Sequence, residues 1–183
     1  MVREFWEVHQ KVSPSPASRP PVRWSPSPEV NFKANFDAAL FDGINNIGIG
    51  VVVRDHLGCV IAALSQQVKS ILSVKMAKAL AARRAVILAG ELSLFNVIFE
   101  GDCLRVIQAL QCSGWCKTLF GHIIEDTKRF GHNLRFCKFQ HICRDENKLA
   151  HSLAKNTVLF VDTNVWVEEL LSDLDAIFQS DLS

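Results

Sequence analysis

All six prolines of the chain fall between Pro14 and Pro28, in the stretch SPSPASRPPVRWSPSP, and none occurs in the rest of its 183 residues. Proline fixes its own backbone and removes a hydrogen-bond donor, so this stretch neither pairs in a sheet nor builds a helix interior. Everything after it is free to do both. The sequence therefore divides sharply: residues 1–29 read as a disordered Pro/Ser-rich tail or linker, with Arg23 and Trp24 as local docking points, and the text from Val30 onward reads as folded. The length suits one domain with a sizeable core.

From Val30 the periodicity is that of a strand. In VNFKANFDAA the apolar Val30, Phe32, Ala34, Phe36 and Ala38 alternate with Asn31, Lys33, Asn35 and Asp37, which puts Asp37 on the polar side. A turn-rich FDGINN leads to IGIGVVVRD and, across the turn DHLG, to CVIAALSQ, an antiparallel hairpin. A helix is expected over Ser73–Glu91, a short strand in NVIFEGD, and a helix from Cys103 to Gln111. LFGHIIEDTKRF then reads as helical, NLRFCKFQHI as a strand and DENKLAHSLAKNT as a helix. The order is βββαβα(α)βα, a mixed α/β domain over residues 30–157. In residues 158–183, Trp166, Leu170, Leu174, Ile177 and Phe178 share a helical face, predicting a linker and a terminal amphipathic helix able to dock on the domain or on a protein partner.

Composition narrows the function classes. Lys and Arg number 20 against 19 Asp and Glu, a formal charge of +1, so any site for nucleic acid must be a local patch. Six irregularly spaced cysteines and an N-terminus without a charged-then-apolar leader fit a reducing, intracellular compartment better than a secreted disulfide scaffold. No apolar run reaches bilayer length, which predicts a soluble protein with no membrane partner. Cys112, Cys116, Cys137 and Cys143, with His122, His132 and His141, are zinc-ligand types without finger spacing, and read better as free thiols. The GIG of Gly48–Gly50 enters a strand and is no dinucleotide loop.

The first helix carries the oddest feature. In KMAKALAARRAVILAG, Ala82, Ala85, Ala89 and Val86 share a narrow face of small residues, which lets a helix lie close against its neighbour, and one turn back along that face stands Lys78. No Asp or Glu occurs from His56 to Gly90.

KANFDAA, GIGVVVRDHLG, AKALAARRAVILAGELSLFNVIFEGD and ICRDENKLAHSLAK, in that order, resemble the words of the ribonuclease H-like superfamily, specifically the type-1 RNase H domains of plants and of reverse-transcriptase-associated retrotransposon polyproteins. The resemblance spans about Val30 to Thr157 and implies the RNase H fold. It also implies nucleic-acid binding and hydrolytic, endonucleolytic cleavage of RNA in RNA/DNA hybrids. In that family four carboxylates hold two divalent ions, Mg²⁺ or Mn²⁺. One activates the attacking water and the other stabilises the leaving oxygen, about 3.5–4 Å apart.

Carried over residue by residue, the first-strand aspartate falls on Asp37 and the aspartate ending the fourth strand on Asp102, the two expected metal ligands and catalytic residues. The helix glutamate of a word like AEAL falls on Lys78, a degenerate catalytic position. The last-helix aspartate of NxxAD falls on His151; either the imidazole keeps a catalytic role or it is a half-exposed helix residue. Exchanging a carboxylate for an ammonium alters the local charge by two units, which sets Lys78 against the family mechanism. Lys69, Lys75, Lys78, Arg83 and Arg84 lie in the acid-free span, either as a phosphate-attracting patch or as an ordinary solvated helix face. Three readings follow: a weak or altered nuclease, a nucleic-acid-binding pseudoenzyme, or an interaction module derived from a transposon.

Overall fold

The computed structural model describes residues 23–41, 46–69, 73–159, 163–168 and 178–179. Its strands are β1 (Phe32–Phe41), β2 (Asn46–Arg54), β3 (Val60–Lys69), β4 (Asn96–Gly101), β5 (Phe136–His141) and β6 (Asn164–Val167). Its helices are α1 (Val74–Glu91), α2 (Leu104–Gln111), α3 (Gly121–Gly131) and α4 (Lys148–Asn156). The six strands form one mixed sheet in the order β5-β4-β1-β2-β3-β6, with β1–β2 and β2–β3 antiparallel and β1–β4 and β4–β5 parallel.

The expected elements from β1 to α4 are present in the expected order, and α1 begins where the sequence says it should. Ser73 caps it, its hydroxyl accepting the Met76 N–H at 3.3 Å. Ala77, Ala79, Ala81, Ala82, Ala85 and Ala89 are all buried, more than one stripe accounts for. The reason is that α1 is covered twice. The sheet lies on one side, through Ala34, Phe36, Ile49 and Val51, and α2 and α3 on the other, through Ile107, Ile123 and Ile124, all in one apolar cluster.

The opposite sheet face carries α4. A methyl group on Gly48 would stand 2.0 Å from the Ala154 carbonyl oxygen, and one on Gly50 2.2 Å from that of Ala150. The two glycines are what let α4 lie directly on β2, where Leu149, Ala150 and Leu153 pack with Val52 and Ala63. Asn147, at the start of α4, donates to the Phe36 carbonyl at 3.0 Å and ties the helix to β1.

Three expectations need correction. First, the polar side of β1 does not face water: Asn35 and Asp37 are buried, because the sheet is covered on both faces. Second, the packed unit starts upstream of residue 30. Trp24 and Ser27 are buried, and the Trp24 indole N–H donates to Glu100 at 3.0 Å while its ring lies 3.5 Å from the Arg54 guanidinium carbon. Residues 1–22 of the expected tail lie outside the described residues. Third, the expected terminal helix begins as a strand. Asn164–Val167 adds β6 antiparallel to β3, from Ala62↔Val167 to Ser65↔Asn164, where alternating Val165, Trp166 and Val167 suit a sheet edge. Leu170, Leu174 and Ile177 lie outside the described residues, and Phe178 packs on the α4 cluster. No helix among the described residues is long and apolar enough to cross a membrane.

Candidate active site

Asp37 stands on β1 two residues beyond Asn35, and Asp102 follows directly after β4. The β1–β4 ladder ends at Asn35↔Glu100, so both aspartates lie just past the last paired position, where the strands are free to part. α1 crosses this end of the sheet and brings Lys78 to it. The Lys78 ammonium contacts Asp37 Oδ1 at 2.9 Å and donates a hydrogen bond to Asp102 Oδ1. On the other side of Asp37, α4 brings His151, whose Nδ1 lies 2.7 Å from Asp37 Oδ2. All four positions picked from the sequence thus meet in one cluster, Lys78 at its centre.

The electrostatics follow from burial. The side chains of Asp37, Asp102 and Lys78 are 2%, 9% and 15% exposed. Burial on its own pushes the Lys78 pKa down. The hydrogen bond to Asp102 and the negative charges of Asp37 and Asp102 outweigh it, and hold the ammonium above its ordinary value. Lys78 is a fixed cation clasped by two carboxylates.

A metal centre of the kind the resemblance implies needs hard, anionic oxygen donors around each divalent ion. This cluster offers two carboxylates, both already facing an ammonium that repels a second cation, and an imidazole seated on one of them. The donor set does not fit a two-metal site.

An open groove of about 520 Å³ lies between the N-terminal turn of α1, α2 and the segment leading into α3, and none of the four cluster residues lines it. Lys75, three residues before Lys78 on α1, lines it together with Arg105, Lys117 and Trp115, and no acidic residue among the described residues does. Trp115 is 75% exposed and Leu119, nearby, 90%. The segment is anchored by Glu125, which accepts the Cys116 N–H at 3.2 Å, and the hydrogen bond from Lys128 lowers the pKa of that carboxyl. Sequence reasoning missed Arg105, Trp115 and Lys117; the signal was an aromatic next to basic residues in a segment with no periodicity.

Arg83 and Arg84 are spent within the protein. Arg83 pairs with Asp126 at 3.6 Å and Arg84 with Glu91 at 2.9 Å, acids that lie outside the acid-free span in sequence but within reach in the fold. Of the five basic residues of the acid-free span, Lys75 alone lines the groove. A larger groove, of about 730 Å³, lies between α2, α3 and β5 and holds none of the predicted site residues. The six cysteines are free; burial pushes the Cys137 thiol up to about 11.

Comparison with solved structures agrees with this architecture. RNase H1 from the halophilic archaeon Halobacterium salinarum superimposes with a TM-score of 0.66 at 17% identity, covering 72% of this chain and 99% of that one. LC11-RNase H1 in complex with an RNA/DNA hybrid gives 0.61 at 17% identity, over 69% and 95% of the two chains. The prototype foamy virus protease-reverse transcriptase gives 0.54 at 18%, over 77% of this chain and 23% of that one. No curated protein matches the sequence. A family model described as reverse transcriptase-like matches residues 35–157, from the polar row of β1 to the end of α4. With two thirds of its length matched and the RNase H fold in place, the chain belongs to the reverse transcriptase-like family of RNase H-like domains.

Proposed function

We propose that this domain binds nucleic acid through the groove beside α1 and has lost hydrolysis by the two-metal route. The observation that carries the reading is the Lys78 ammonium in contact with both Asp37 and Asp102. In this reading Lys78 supplies a permanent positive charge where the family uses ions. It neutralises the aspartates enough for a phosphate backbone to approach, but generates no hydroxide. Lys75, Arg105 and Lys117 attract phosphates and Trp115 offers a stacking face. That LC11-RNase H1 was solved with an RNA/DNA hybrid supports a hybrid as the first ligand to try.

The test is a titration of a labelled hybrid in excess EDTA and again in Mg²⁺. Binding in EDTA at least as tight as in Mg²⁺ is expected, since Mg²⁺ competes for the phosphates, with Trp115→Ala costing about 1–3 kcal/mol. Lys75→Ala or Arg105→Ala should lower the slope of log K against log salt by about 1. Binding that appears only with Mg²⁺, or that ignores all three substitutions, overturns the reading.

A further inference from the structure

The sheet face that carries the site is divided between two covers. α4 lies over Gly48, Gly50 and Val52. The neighbouring part holds Lys33, Asn35, Arg54 and Glu100, all buried, and lies under Arg23–Ser27, upstream of the matched family region. Here Glu100 Oε2 accepts from the Trp24 indole at 3.0 Å and from the Asn35 amide at 3.1 Å, and Glu100 Oε1 pairs with Lys33 at 2.8 Å. The Asn35 oxygen accepts from Arg54 at 3.0 Å, and Lys33 also donates to the Ser25 carbonyl at 2.8 Å. The Arg54 guanidinium carbon lies 3.5 Å and the Lys33 ammonium 5.4 Å from the centre of the Trp24 ring, so an aromatic face meets both cations.

The location of this network gives it a role. Asn35 and Glu100 are the last paired residues of β1 and β4, and Asp37 and Asp102 each lie two residues further along the same strands, on the same face. Past that pair no backbone ladder fixes the gap between the aspartates. What fixes it is the Asn35–Glu100 hydrogen bond below and Lys78 above. We infer that Trp24 is a positioning residue for the site: by locking Glu100, the strap of Arg23–Ser27 sets the separation of β1 and β4 and so the fit of Lys78 between Asp37 and Asp102. The functional unit then begins at the strap and not at residue 35. The inference rests on the Asp37–Lys78–Asp102 cluster being the site, and not on any ligand.

Amine labelling of the folded full chain, read residue by residue by mass spectrometry, tests it without nucleic acid. Its failure is therefore distinguishable from failure of the binding reading. Lys155, exposed on α4, is the internal reference. Trp24→Phe keeps a ring for Arg54 but removes the N–H to Glu100, and Trp24→Ala removes both. Leu110→Ala, a cavity in the apolar core on the far side of the sheet, serves as the control for lost stability. Several-fold faster labelling of Lys78 in both Trp24 variants, larger for Trp24→Ala, and no change in Leu110→Ala is the expected result. Faster labelling at Lys33 alone, or an equal rise at Lys78 in Leu110→Ala, overturns it. Should Trp24→Ala fail to fold, Trp24→Phe carries the test.

Discussion

Two clusters of buried charge share one face of the sheet, and they differ in their access to solvent. The clasp holds Lys78 between Asp37 and Asp102. In the strap network Lys33 pairs with Glu100, Arg54 donates to the Asn35 oxygen, and the Trp24 ring faces both cations. That difference decides where a ligand has room to act. The strap cluster is sealed, Arg54 being wholly buried and Glu100 1% exposed, so its charges hold the fold together. The clasp sits at the open end of the strands, where Lys78 and His151 keep partial access to solvent.

The largest effect is expected where the seal is complete. Glu100→Ala leaves Lys33 buried without the carboxylate it pairs with, and the Trp24 indole and Asn35 amide without their acceptor, and urea unfolding should show a loss of about 3–5 kcal/mol. Lys78→Met removes the cation that holds two carboxylates together. Because water reaches that end of the sheet, the loss should sit at the low end of the same range, about 3 kcal/mol. Equal losses would erase the distinction between a sealed cluster and an open one.

A smaller, pH-dependent effect sharpens it. The folded state holds the Lys78 proton more tightly than an unfolded chain does, so its contribution is fully present below the ordinary lysine range and is lost as pH rises through the higher folded value. The stability difference between the unmodified chain and Lys78→Met should therefore stay constant from about pH 7 to about pH 10 and shrink above that. Chemical denaturation at a series of pH values checks it. A difference that closes already at neutral pH would mean that Lys78 is not clasped as described.

Much of the fold was legible because its signals are local. Alternation in VNFKANFDAA, the apolar run of β2 and the capped, alanine-rich α1 each follow from a short window of residues. The four candidate positions were picked because the words around them resemble a family's, and the structure brings Asp37, Lys78, Asp102 and His151 into contact. What escaped depends on distant pairing. Arg54 and Glu100 drew no reading from the sequence, and they are buried beneath Trp24, 76 positions from Glu100 in sequence. Trp24 was expected to dock locally, and what the low-complexity text around it did not show is which residues it covers. Likewise Arg83 and Arg84 read as free because their span holds no acid, while Asp126 and Glu91 reach them in the fold. The terminal segment matched a helical face, but a free edge on β3 took Asn164–Val167 as a strand.

In the proposed reading, Lys78, with His151, is what separates this domain from two-metal hydrolysis. The most direct measurement is cleavage of an RNA/DNA hybrid in Mg²⁺ and in Mn²⁺ by the unmodified chain, by Lys78→Glu and by Lys78→Glu with His151→Asp. The account predicts no cleavage by the unmodified chain and metal-dependent cleavage by the double variant. Cleavage by the unmodified chain that disappears in Asp37→Asn would contradict it.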